Sequence, residues 1–371
     1  MNKSKILSVS KETVYYLTNY FPLAFSMAAC FGYGAITGIL FACLAIILSP
    51  DLCNEKIMPV FTAFIILGCN TNIALPACLI CLMLLLLTHK FFDEIKKSID
   101  SPAFSGVMLS SALTATVLFT TDYFGIGATG ETVTEMIKSY VSLGFHPNWR
   151  GVLYGTIVMV IMITFPRKFK KFSKTVSAAF IAIIGTLFLN FFLNPVYMPT
   201  AINEIGNIGF DTLKELVVTH FDSEKNIFRM LICGIALYIN YINAASDYHY
   251  NGALLNTATS GIVGFPLPYG INRNKSTLLS RGLAAGIILI LFALFRDIFG
   301  RIPLHSCAVV VIVGAWQNVK WSELKKAFSG IIPVLMFIIS IFSCLVFDLT
   351  VGITVSAAAS VVYHKFLKKA V

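Results

Sequence analysis

Apolar residues in this chain are not set at alternate positions; they come in long runs separated by short polar breaks. A run of roughly 17–25 apolar residues is long enough to cross a hydrocarbon core about 30 Å thick as a helix. Apolar runs, half of them of this length and the rest shorter, recur near 14–33, 35–49, 57–71, 74–89, 103–125, 149–166, 172–194, 227–246, 252–263, 273–281, 282–299, 303–317, 329–347 and 349–364. The two-residue alternation of an outer-membrane barrel is missing from them, so the pattern predicts about fourteen membrane helices. Two are atypical. The third opens on Glu55-Lys56-Ile57-Met58-Pro59 and the tenth on Pro266-Leu267-Pro268-Tyr269-Gly270-Ile271-Asn272-Arg273. Proline and glycine break the chain just before each helix, which predicts short helices that start inside the membrane.

The longest interruption, Pro195 to Asn226, contains the amphipathic FDTLKELVVTHF and leaves seven spans on either side. An odd number of spans inverts one half against the other, and broken helices at matching places in inverted halves point to a transporter's midplane site. The expected organisation is a first seven-span repeat over 1–194, an extracellular loop over 195–226 and a second repeat over 227–371. The fold class is an all-α polytopic membrane protein of 7+7 inverted repeats.

Composition agrees. Of 371 residues, 57% are hydrophobic and 12% charged, against about 25% charged in soluble domains, and the mean hydropathy is +0.80. The net charge of +10 would suggest nucleic acid in a soluble protein. Here the cations collect in short loops, as KKSID from Lys96, RKFKKFSK from Arg167, KWSELKKAF from Lys320 and HKFLKKAV from His364. That is the positive-inside pattern. It predicts a multi-pass plasma-membrane protein with both termini cytoplasmic, the lipid bilayer as its surroundings and no nucleic-acid partner. The apolar stretch within the first 34 residues is read as mature protein, because no A-x-A-like cleavage site follows it. Most of the nine cysteines stand singly inside apolar runs and are read as small buried hydrophobes. Neither an H-E-x-x-H nor a P-loop motif occurs, so no enzyme, cofactor or metal is expected.

Several stretches carry a resemblance. Phe21-Pro22 through Gly32-Tyr33-Gly34-Ala35-Ile36-Thr37-Gly38-Ile39 resembles the first-span pattern of the SulP (sulfate permease) anion-transporter family. Ser101-Pro102-Ala103-Phe104-Ser105-Gly106 with Asp122-Tyr123-Phe124-Gly125 is similar to the start and close of its fifth span. His146-Pro147-Asn148-Trp149, Arg301-Ile302-Pro303-Leu304 and Phe347-Asp348-Leu349-Thr350-Val351-Gly352-Ile353 match in order. The resemblance covers nearly the whole chain and is to the membrane domain. The chain ends eight residues after Tyr363, without the cytoplasmic STAS domain of typical members. It implies a core domain moving against a gate domain, with a small inorganic or carboxylate anion held between the N-termini of the third and tenth helices; a homodimer is compatible with it.

Two helix N-termini present unpaired N–H groups and positive dipole ends to an anion. Arg273, flanked by Asn272 and Asn274 where the family has S-R-S, adds a fixed positive charge. An ionisable residue at membrane depth costs roughly 2.5–3.5 kcal/mol or more, which makes Arg273 a site candidate, whereas Lys275 is read as a loop charge. Met58 and Pro59 open the third helix. The family's first-span glutamine and tyrosine fall on Leu23 and Met27, its eighth-span glutamate on Asn240 and its fifth-span glutamine on Phe119. The implied pocket is therefore more apolar than the family's, with no carboxylate on the helices that build it. That weighs against sulfate and against proton coupling. Asp247, His249 and His305 stand at span ends and are read as solvated. Two other readings fit the architecture: a nucleobase permease, which would need acidic residues on the eighth and tenth helices, where none stands and a cation does, and an anion-responsive channel or motor.

Overall fold

The computed structural model describes residues 3–31, 57–70, 73–99, 101–130, 132–193, 227–244, 278–299 and 301–367, with a few helical residues between 39 and 47. Its helices are α1 (Lys3–Cys30), α2 (Ile57–Gly68), α3 (Ala74–Leu87), α4 (Phe92–Ile99), α5 (Pro102–Phe124), α6 (Val133–Leu143) and α7 (Trp149–Lys168). They continue with α8 (Ala178–Leu193), α9 (Ile227–Ala244), α10 (Leu278–Phe299), α11 (Leu304–Gln317), α12 (Trp321–Ala327), α13 (Ile331–Val346) and α14 (Leu349–Val362). No strand occurs among the described residues.

The predicted spans that fall on described residues are helical over most of their length; the span predicted from 172 starts as an α-helix only at Ala178. The 252–263 span, most of 35–49 and 273–277 lie outside the described residues. One boundary is corrected: the spans predicted as 273–281 and 282–299 are not separated there, because α10 runs from Leu278 straight through Ser280, Arg281 and Gly282. The stretch holds no proline, and a single glycine inside a helix costs only about 1 kcal/mol relative to alanine. The helical dihedrals are lost further on, at Phe295 (φ −121°, ψ 28°). Three short helices lie between the predicted spans. In α4 the acids Asp93 and Glu94 stand in the first turn and Lys96 and Lys97 in the last, the distribution that complements a helix dipole.

Helix ends follow capping chemistry. The Ser101 side chain accepts from the Ala103 N–H ahead of Pro102, Thr132 caps α6, Asn148 accepts from the Gly151 N–H to start α7, and Asp348 accepts from the Val351 N–H to start α14. Each satisfies one of the donors a helix start leaves open. Gly125 ends α5 with a left-handed backbone, φ +68°, which glycine adopts without a Cβ clash.

Packing repeats itself between the two halves of the chain. α5 packs on α13 while α11 packs on α7; α7 packs on α8 while α13 packs on α14; α9 packs on α3 while α1 packs on α10; α9 packs on α14 while α1 packs on α8. Each contact is the image of another after exchanging helices seven spans apart, as a two-fold axis in the membrane plane requires. The two sets meet where α5 and α11 cross.

The junction of α5, α13 and α14 is lined by small residues. Gly352, Ser356 and Ser360 recur every fourth residue on α14, the spacing that lets membrane helices approach closely. Ser340 donates to the Ala103 carbonyl at 2.8 Å, and short hydroxyl contacts join Ser340 to Ser356 and Ser101 to Ser360.

Candidate functional site

Over the described residues α2 runs for twelve residues, Ile57–Gly68, a rise of about 18 Å; the chain just before Ile57, where the sequence places the helix start, lies outside them. The first described turn begins at Ile57. Pro59 stands in that turn, where a missing N–H leaves no gap in the ladder. Of Met58 and Pro59 the structure describes the backbone. Arg273, Asn272 and Asn274 lie outside the described residues.

The remaining predicted residues come from α1 and α9. Asn240 is buried at 2% exposure on α9, which packs on both α2 and α3. Met27 is equally buried on α1. Leu23 is turned toward α11, where its Cδ1 would stand 3.7 Å from a Cβ built on Gly314. α2 is tied to α5 by a hydrogen bond between the Thr62 and Ser111 hydroxyls, 2.7 Å apart and fully buried.

At the far end of α2 the surroundings are apolar. The Phe31 ring, just past α1, meets the Phe119 ring of α5 edge-on with centroids 5.1 Å apart. Phe31 also covers Gly68, where any Cβ would fall 2.6 Å from its ring carbons. Phe119 thus packs as an aromatic wall where the family pattern has glutamine.

Next to this region, a small cleft is lined by Cys69 and Asn70 from the end of α2, Thr114 of α5, Arg229 of α9, and Asp348 and Thr350 of α14. Asp348 is held in place as the α14 cap, accepting from the Val351 N–H at 2.8 Å and from the Thr350 hydroxyl. Sequence reading did not single out Arg229. Its signal was a cation at the very start of an apolar run, which looks the same as an interfacial anchor.

Two other polar groups were missed. Asp122 of α5 lies within electrostatic reach of the Cys30 thiol of α1 and the Cys307 thiol of α11. The solvated reading of His305 is corrected: its ring is fully buried and neither ring nitrogen has a hydrogen-bond partner. The reason is local packing. Gly125 and Gly151 leave the ring its space, and a Cβ on Gly151 would stand 1.9 Å from His305 Nε2. Among the described residues no three His, Cys, Asp or Glu side chains converge as a metal site would require.

Neither a protein-family model nor a curated protein matches the sequence. The structure does match. The transmembrane domain of BicA, a cyanobacterial bicarbonate transporter, superposes with a TM-score of 0.71 at 17% identity, over 97% of this chain and 98% of that one. The fold is that of a bicarbonate transporter's membrane domain. The same all-α membrane fold is found in murine Slc26a9, an anion transporter in its inward-facing state, with a TM-score of 0.72, 12% identity and 99% of this chain covered. A second SLC26A9 structure gives 0.69 at 12% identity over 97% of this chain. This chain spans about two thirds of the length of these two, 69% and 66%.

Proposed function

We propose that this chain is a secondary transporter or exchanger of small anions, of the SulP type, that works by alternating access. The observation that carries the reading is the fold shared with BicA and Slc26a9, in which α2 packs against α9 and α5. The anion is held between the α2 N-terminus and the segment Asn272-Arg273-Asn274, with Arg273 supplying the fixed charge and Met58, Pro59, Met27, Leu23 and Asn240 forming or backing the walls. The substrate class is a small inorganic or carboxylate anion such as chloride or bicarbonate.

Coupling follows from the same residues. Asn240 does not titrate, and Arg273 stays protonated throughout the cycle. Transport is therefore expected to be proton-independent, with a rate that barely changes between about pH 6 and pH 8, since an unperturbed carboxylate or arginine does not titrate in that window. A steep pH dependence would bring Asp122 or His305 into the cycle.

Arg273→Ala tests the site. It removes a charge and leaves the α2 N-terminus in place, so apparent anion affinity should fall several-fold without loss of folding, charge-assisted contacts being worth about 1.5–3 kcal/mol. Unchanged affinity and unchanged anion preference would make Arg273 a bystander.

A further inference from the structure

The strip from Phe165 to Val176 lies outside the site described above. Arg167, Lys168, Lys170 and Lys171 follow one another there, interrupted only by Phe169, and no acidic residue occurs between Arg167 and Ser177. All four cations are exposed. Among the described residues none of their side chains has an ion-pair or hydrogen-bond partner.

The aromatic residues in the strip do not behave as a solvated loop would have them. The rings of Phe169 and Phe172 both pack on Phe165, with centroids 5.2 Å and 6.0 Å away, yet they remain 56% and 54% exposed. The strip is also ordered. Backbone bonds of 2.9 Å link Phe169 to Phe165, Ser173 to Phe169 and Thr175 to Phe172. Thr18 of α1 donates to the Thr175 carbonyl at 3.1 Å and accepts from the Ser177 N–H at 3.4 Å, which anchors the strip to the first helix.

Depth decides what these groups meet. The twenty residues of α7 rise about 30 Å, the thickness of the hydrocarbon core. With the exposed Trp149 at one end of α7, the strip at the other lies where acyl chains give way to headgroups. The α7 dipole accounts for Arg167 and Lys168 in its last turn. It does not account for Lys170 and Lys171, which stand beyond the helix, or for two exposed phenylalanines beside them.

We propose that this strip is a binding site for an anionic phospholipid. The four cations hold the headgroup phosphodiester, and Phe169 and Phe172 insert among the acyl chains below it. A soluble polyanion would use the cations and leave both rings in water, so the rings favour the lipid. A cluster of cations beside a membrane helix is the expected signature of acidic-lipid binding.

The test is binding of a fluorescent short-chain phosphatidylglycerol to the full-length protein in neutral detergent, with phosphatidylcholine and inorganic phosphate as the comparison probes. Near a charged surface each cation contributes roughly fivefold, so the double variant Lys170→Gln, Lys171→Gln should bind phosphatidylglycerol roughly 25-fold more weakly. Phe169→Ser with Phe172→Ser should also weaken it, while Lys138→Gln, on α6 at the opposite end of α7, should leave it unchanged. All these side chains are exposed, and an unchanged unfolding temperature verifies folding. Should the Lys170 and Lys171 pair fail that check, Arg167→Gln with Lys168→Gln replaces it. The proposal is overturned by equal affinity for phosphatidylcholine, by full competition from inorganic phosphate, or by loss in only one of the charge and phenylalanine arms.

Discussion

Gly352→Ala adds one methyl group at a helix contact that reaches backbone atoms of the facing helix. The new Cβ would stand 2.1 Å from Cys344 Sγ, 2.6 Å from Cys344 Cα and 2.8 Å from the Cys344 backbone nitrogen. Ordinary contact begins near 3.4 Å. The sulfur can rotate away, but the backbone atoms cannot, so α13 and α14 must separate by roughly 1 Å, a gap that already forfeits a quarter to a half of each dispersion contact across the seam. Overpacking of this kind costs about 1–3 kcal/mol. The hydroxyl contact of Ser340 with Ser356 crosses the same seam, which puts the expected loss in the upper half of that range. Equilibrium unfolding in lipid-detergent bicelles measures it. Cys344→Ala on the Gly352→Ala background should recover less than half of the loss, because it removes the sulfur and leaves the backbone clash. Gly286→Ala is the control: no atom lies within 4 Å of its new Cβ, so helix propensity alone predicts a gain of up to about 1 kcal/mol. A Gly352→Ala protein within about 0.5 kcal/mol of its parent, the scatter of ordinary surface substitutions, would refute the packing argument.

Other outcomes follow from the same structure. Gly151→Ala should destabilise by about 1–3 kcal/mol through its 1.9 Å approach to His305 Nε2, and His305→Ala on that background should restore part of the loss; additive effects in unfolding measurements would refute the contact. Ser111→Ala should cost about 1 kcal/mol in the same measurement by removing the partner of Thr62. In a cysteine-free background, cysteine at position 138 should react with an impermeant thiol reagent from outside the cell and cysteine at 170 only after the cytoplasmic side is opened, as the basic loops require; the reverse pattern would invert the topology.

Sequence carried much of this fold because membrane helices announce themselves by length and apolarity, and because helix ends are written in a few residue types. Ser101-Pro102, Asp122 to Gly125, Asn148-Trp149 and Asp348-Leu349 were legible as motifs, and the structure gives the physical reason: they are helix starts and stops, with Ser101, Asn148 and Asp348 as N-caps and Gly125 as the left-handed end of α5. The helix α2 was legible from the apolar run that follows Pro59. Less legible were features set by tertiary packing. No local signal separates α10 from a pair of shorter helices, because a Ser-Arg-Gly sequence is compatible with either. His305 looked solvated at a span end because Gly125 and Gly151, far from it in sequence, are what clear its space. Asp122 looked like part of a closing turn, and only the packing of α11 against both α5 and α1 sets it within electrostatic reach of Cys30 and Cys307.

Anion flux through the purified protein tests the central claim most directly. Reconstituted into proteoliposomes, the chain should move chloride or bicarbonate down an imposed gradient, or exchange one for the other. Its rate should saturate with anion concentration, fall with Arg273→Ala and stay nearly level from about pH 6 to pH 8, the window in which neither arginine nor an unperturbed carboxylate titrates. Uptake of a nucleobase such as uracil with no flux of any small anion would contradict it.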